Sequence, residues 1–128
     1  MQSLIKNGVA IILKSINFED VNPSETKKID FIDEFKIVSI ESDLAEFSIT
    51  RTIAVDLQYA YNLKVVAGIQ VFAKEGINLK DNLTKKMVEE NKNNISSMAM
   101  SFMSSLVAQI TGSFNGIPII TAPSLKLN

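Results

Sequence analysis

From Phe47 onward the apolar residues fall on alternate positions: Phe47, Ile49, Ile53, Val55, Leu57, Tyr59, Tyr61 and Leu63. Between them lie Ser48, Thr50, Thr52, Asp56, Gln58 and Asn62, with Ala54 and Ala60 as small exceptions, and Arg51 stands on the apolar side. A period of two, rich in β-branched and aromatic residues, predicts a half-buried antiparallel strand that must bend, break or turn along its length. Val9 to Phe18 predicts an earlier strand, apolar on both faces at its start and followed by a turn at Asn22-Pro23-Ser24. Ile29 to Glu41 repeats the alternation, interrupted by Asp33. Lys64 to Lys74 predicts a last strand, in which Val65-Val66-Ala67 and Gly68 imply burial on both faces or a bulge. Four strands with no helix between them require antiparallel connections.

The period then changes. Asp81-Asn82 supplies capping side chains for a helix through Leu83, Met87 and Val88, and Asn93-Asn94 offers a second start. The main helix is expected from Ile95 to Thr111, stopped by Gly112, with Pro118 and Pro123 opposing its resumption. At about 100° per residue, Met98, Ala99, Met100, Phe102, Met103, Leu106, Val107 and Ile110 sweep an apolar arc of roughly 200°, about twice what a surface helix needs. The rest of the circle holds Ser97, Ser101, Ser104, Ser105 and Ala108, small enough for another backbone to approach. The expected architecture is a single α+β domain over residues 1–128: a four-stranded antiparallel sheet, a long C-terminal packing helix and an apolar tail.

Charge sharpens this division. Of 27 charged residues, 26 lie between Lys6 and Lys92; Asn93 to Leu125 is a run of 33 residues without a formal charge. As a membrane span that run fails, because Ser96, Ser97, Ser101, Ser104, Ser105, Gln109, Thr111, Gly112 and Ser113 dilute the stretch of roughly 20 apolar residues a span requires. No basic, apolar and small-residue leader opens the chain, so no membrane insertion is expected and a cytoplasmic location is. Glu19 to Asp56 carries ten acids against Lys27, Lys28, Lys36 and Arg51, which repels phosphate and argues against nucleic acid. Those acids read either as solvated strand edges or as a docking face for a basic protein.

The chain has no His, no Cys and no Trp. Imidazole acid/base chemistry, thiolate nucleophiles, Cys/His metal sites and disulfides are excluded together, and the redox compartment cannot be read from cysteines. Adjacent carboxylates at Asp33-Glu34 and Glu89-Glu90 sit in charged segments with nothing to mark an acid/base pair, and no Gly-rich phosphate loop is present. No catalytic residue, metal or cofactor is expected, and the chain reads as a non-enzyme. Arg51, the only Arg, could pair with Asp33 or Asp56, snorkel, or bind a partner's carboxylate.

In order and spacing, the last 80 or so residues resemble the SecB-like export chaperones. Phe47-Ser-Ile-Thr-Arg-Thr-Ile-Ala-Val and the following strands are similar to that family's sheet. Asn94-Ile95 opens a helix ending Ser104-Ser-Leu-Val-Ala-Gln-Ile-Thr-Gly, and Phe114-Asn-Gly-Ile-Pro-Ile-Ile-Thr-Ala-Pro123 is similar to its loop into the last segment. The resemblance implies a dimer of dimers and an apolar groove beside helix and loop that holds unfolded polypeptide without ATP. The family's basic, Cys/His-containing zinc tail is missing, so contact with the export motor through such a tail has no support here.

On that basis the client-binding candidates are Met103, Val107, Ile110, Phe114, Ile117 and Ile119, each of which reads equally well as core or subunit contact. Candidates for an oligomer interface are Ser97, Met100, Ser101, Ser104 and Ala108, since an apolar patch beyond a few hundred Å² usually marks an interaction site and methionine repacks against varied shapes. The expected partners are unfolded protein clients, further copies of the chain, and an export motor or other protein partner. Two other expectations stay open: an interaction protein, of antitoxin-linked or structural type, that binds one partner tightly, and a small apolar-ligand pocket between sheet and helix.

Overall fold

The computed structural model describes residues 1–115 and 117–127, leaving aside the side chains of Phe114 and Asn115. Its elements are β1 (Ala10–Asp20), β2 (Lys28–Ile40), β3 (Leu44–Asp56), β4 (Ala60–Phe72), a short α1 (Leu79–Asn82) and α2 (Lys85–Asn115). The strands form one antiparallel sheet in the order β1-β4-β3-β2, so β3 and β4 are central and β1 and β2 are edges. The fold class is therefore α+β, as the sequence predicts.

The stretch from Phe47 to Leu63, expected to bend, break or turn, turns after Asp56 where β3 ends, and the last strand, expected from Lys64 to Lys74, is corrected to β4, which begins at Ala60 and ends at Phe72. The reason lies in the register. Val55 faces Tyr61 and Ile53 faces Leu63, so odd positions pair with odd positions and the alternation crosses the turn without a change of phase. Every odd position of β3 and β4 from Ala45 to Val55 and from Tyr61 to Val71 is buried, Arg51 included.

Both edge strands carry a register shift, β1 between Leu13 and Ser15 and β2 between Ile37 and Ser39. In β1 the extra residue is Lys14, and it moves the inward positions from odd (Val9, Ile11) to even (Phe18, opposite Leu63). Residues 10–13 pair with β4 in one register ahead of this bulge, so the apolar residues on both faces at the start of β1 precede the change of phase. The bulge expected near Gly68 thus belongs to the neighbouring strand. Lys14 crosses to Glu46 (3.4 Å), and a Cβ at Gly68 would stand 2.8 Å from its Cε.

The helix caps also differ from those expected at Asp81-Asn82. The Asn78 side chain accepts the Asp81 N–H (3.3 Å) at the start of α1, and the Thr84 hydroxyl accepts the Met87 N–H (3.2 Å) at the start of α2. Helix α2 then runs 31 residues without a break at Asn93-Asn94 or a stop at Gly112. Buried packing overrides the local signals: Val88, Ile95, Ala99, Met100, Met103 and Val107 join the odd-numbered sheet residues in one core. The helix lies against β4. No helix among the described residues is long and apolar enough to cross a membrane.

Candidate functional site

Helix α2 leaves the β2–β3 side of the inner face to residues 117–127. These run back along the helix in the opposite direction: the Ile119 N–H donates to the Thr111 hydroxyl (2.7 Å), and the Ser104 hydroxyl donates to the Thr121 carbonyl (2.5 Å). Thr111 is itself anchored, donating to the Val107 carbonyl (2.7 Å). Beneath the segment sits Arg51, fully buried on β3.

Arg51 and Asp33 are opposite one another in the β2–β3 register, which turns two separate anomalies of the hydrophobic pattern into one pair. The guanidinium meets the carboxylate through two parallel bonds, Nε to Oδ1 and Nη2 to Oδ2, each 2.7 Å. Its remaining donors reach the segment: Nη1 to the Thr121 hydroxyl and the Ala122 carbonyl (both 2.8 Å), and Nη2 to the Ser124 carbonyl (2.9 Å). All five guanidinium N–H groups are thus used. The Phe31 ring lies 4.5 Å from the guanidinium carbon, adding a cation–π face. A buried charge is tolerated only under such complete pairing.

The segment ends against the free edge of β2. There the Asp33 N–H donates to the Lys126 carbonyl (2.8 Å), and the Lys126 N–H donates to the Asp33 carboxylate (2.8 Å). The Lys126 ammonium also donates to Asp30 (2.7 Å). That hydrogen bond, with a smaller part from the Phe31 N–H, holds the Asp30 carboxyl below the usual carboxylate range. Of the pairings open to Arg51, Asp33 is the one made. Asp56 instead accepts from the Ser24 hydroxyl and amide, which lower its pKa.

The client-binding candidates are divided by this arrangement. Met103, Val107 and Ile119 are buried, Ile110 is half-buried, Ile117 is exposed at 65%, and the Phe114 side chain lies outside the described residues. Among the interface candidates, Met100 is buried against the sheet, Ser104 and Ala108 are half-buried, and Ser97 and Ser101 are exposed. The outward face of α2 also displays Met98 and Phe102, 55% and 39% exposed, beside uncharged Ser105 and Gln109.

The acidic stretch is substantially paired within the chain. Asp20 accepts from Tyr59, Asp30 from Lys126, Asp33 from Arg51 and Asp56 from Ser24, while Glu34 meets Lys36 and Glu46 meets Lys14. A cleft between residues 1–9 and α2, bounded by Ile5, Val9, Ile95 and Met98, holds about 200 Å³. That is below the roughly 300 Å³ at which small-molecule sites begin. Beyond Asp33 the β2 edge borders an open trough of about 600 Å³ lined by Phe35, Ile37, Val38 and Ile40 and by the charged Lys36, Lys85 and Glu89.

Sequence reasoning singles out Asp33 and Arg51 but misses the hold that Thr121, Ser124 and Lys126 complete. The signal was the shared odd parity of 33 and 51, which becomes visible only with the strand register.

A sheet of this order, a long helix over β4 and an extended segment beside it make the SecB-like fold. The chain superposes on the Mycobacterium tuberculosis SecB-like chaperone, solved in complex with a ChAD peptide from the HigA1 antitoxin, with a TM-score of 0.72 and 11% identity over 88% of this chain and 83% of that one. A protein of unknown function from Streptococcus agalactiae matches with a TM-score of 0.49 and 13% identity over 90% of this chain and 96% of its own. No protein-family model matches the sequence, and no curated protein does.

Proposed function

We propose that this chain is a polypeptide-binding chaperone of the holdase type, which keeps unfolded or extended segments from aggregating without nucleotide. The observation that carries the reading is the fold, shared over most of both chains with a chaperone whose structure holds a peptide. The surface chemistry agrees. An open trough with Phe35, Ile37, Val38 and Ile40 among its charged neighbours, along the β2 edge beyond Asp33, offers backbone groups and nonpolar area to an extended chain, and apolar burial contributes about 25 cal/mol per Å² before the costs of association. Nothing in this role requires a reactive group, so we take the protein as a binder rather than an enzyme, working in the cytoplasm.

In this reading Ile110, Ile117 and the trough meet clients first, Phe114 remains a client-binding candidate, and Met103, Val107 and Ile119 contribute when segment 117–127 moves. Of the interface candidates, Ser97, Ser101 and Ala108, with exposed Met98 and Phe102 and with Met100 beneath, form the face through which copies assemble into a dimer of dimers, while Ser104 is engaged by the Thr121 carbonyl. The test is suppression of aggregation for several unrelated unfolded clients at stoichiometric protein and without ATP; absence of suppression across all of them overturns the proposal. Sedimentation checks assembly, with a tetramer expected and a strict monomer excluding it.

A second reading is favoured by the antitoxin peptide on the mycobacterial chaperone. Here the chain serves one dedicated partner, and a single tight complex with no general suppression would distinguish it. An export motor remains a partner to test by direct binding.

A further inference from the structure

Among the described residues, segment 117–127 is held through main-chain groups that include the Ile119 N–H, the carbonyls of Thr121, Ala122 and Ser124, and both the N–H and the carbonyl of Lys126. Four residues outside the segment hold them, namely Thr111, Ser104, Arg51 and Asp33. The Thr121 hydroxyl and the Lys126 ammonium are the segment side chains that hydrogen-bond to the body among the described residues. Its largest apolar residues point elsewhere: Ile117 is 65% and Ile120 78% exposed, while Ile119 fills the core.

We infer that these four residues form a site that reads polypeptide main chain, and that residues 117–127 are its resident occupant, displaced when an extended, uncharged polypeptide segment binds. Hydrogen bonds to carbonyls and amides are blind to side-chain identity, so a site built from them accepts many sequences of similar shape. The segment has the composition of its replacement: from Ile117 to Leu125 it carries no charge, and its one deeply buried apolar side chain is Ile119. Arg51 suits the role because its planar fork addresses two carbonyls while its other edge stays fixed on Asp33. The resident segment keeps the guanidinium paired and the inner face covered when no partner is present. This inference rests on the polypeptide-binding reading and assigns it a site and a gate.

The test uses the intact chain with Ile120→Cys carrying a nitroxide, since the sequence has no other Cys and position 120 is exposed. Two probes are added separately: reduced, carboxymethylated lactalbumin as a permanently unfolded polypeptide, and a synthetic peptide with the sequence of residues 117–127. Saturating either probe is expected to convert the nitroxide from the restricted motion of a tethered main chain to the mobile signal of a free one. The hold is then weakened by Lys126→Pro, which removes the N–H given to Asp33, together with Ser104→Ala. Each hydrogen bond lost is expected to raise the mobile fraction about fivefold, and the apparent Kd of the probe falls by the same factor as the open fraction rises.

Lys126→Ala keeps the main-chain N–H and is expected to have the smaller effect; equal effects of Ala and Pro overturn the main-chain claim. Lactalbumin binding with an unmoved nitroxide overturns the displacement while leaving the chaperone reading intact. Displacement by the synthetic peptide without any lactalbumin binding upholds the site and removes the holdase reading. If neither probe mobilises the label, the inference is wrong.

Discussion

Helix α2 and segment 117–127 both cover the inner face of the sheet, by opposite chemistry. Over β4 the helix buries Ala99, Met100, Met103 and Val107 in one core with Val65, Ala67 and the other odd-numbered sheet residues, a contact specified by side-chain shape. Over β2 and β3 the segment is held by hydrogen bonds that address its backbone. The first cover is costly to exchange because any replacement must match the cavity left behind. The second is exchangeable, since another main chain supplies the same donors and acceptors.

The strongest way to break this contrast is Arg51→Ala, which leaves Asp33 buried without its partner; unfolding in denaturant should show a loss of about 3–5 kcal/mol. On the helix side, Met103→Ala should cost about 2–5 kcal/mol by opening a cavity, without selectively freeing the segment. The paired replacement Arg51→Met with Asp33→Leu sharpens the comparison. Because no buried charge is stranded, overall stability should fall by much less than in Arg51→Ala, or even rise, as such replacements often do by about 1–4 kcal/mol. Hydrogen exchange of the Ile119 and Lys126 amides should nevertheless accelerate, since the carbonyls of Ala122 and Ser124 lose their donor. Equal loosening of helix and segment would erase the distinction.

Smaller effects follow. Gly112 is helical, and an added Cβ would lie in ordinary contact with Pro118, 3.6 Å from its Cγ. Gly112→Ala should therefore stabilise the chain by about 0.5–1 kcal/mol through helix propensity. The smallest effect is that of pH on the exposed Lys126–Asp30 pair. Asp30 has a lowered pKa in the folded chain, so its contribution is present above the unfolded value of about 3.9 and is lost as pH falls through the lower folded value. NMR of the Lys126 side chain should show its release in acid, and high salt should mimic it near neutral pH.

The sheet was legible because burial repeats every two residues, and Phe47, Ile49, Ile53 and Val55 state that period plainly. Strand ends were less legible, because a turn whose flanking pairs keep the same parity does not disturb the pattern. The helix ran on through Asn93-Asn94 and Gly112 because tertiary packing outweighs terminal signals of about 1 kcal/mol each. The site was half visible. Asp33 and Arg51 stood out as polar residues on apolar faces, but their meeting depends on register, and their hold on residues 121–126 depends on contacts 70 to 93 positions apart in sequence. No local pattern encodes those.

That separation has a kinetic consequence. Strands β2 and β3, like β3 and β4, are joined by short connections and can zip as hairpins, whereas Lys126 must close a loop of 93 residues to reach Asp33. Loop closure of that length is opposed by chain entropy until the sheet already exists to receive it. The contacts of residues 121–126 with Arg51 and Asp33 should accordingly form late, after the local turn that joins Ile119 to Thr111 and Thr121 to Ser104, so the folding chain passes through a state in which the guanidinium of Arg51 awaits a chain.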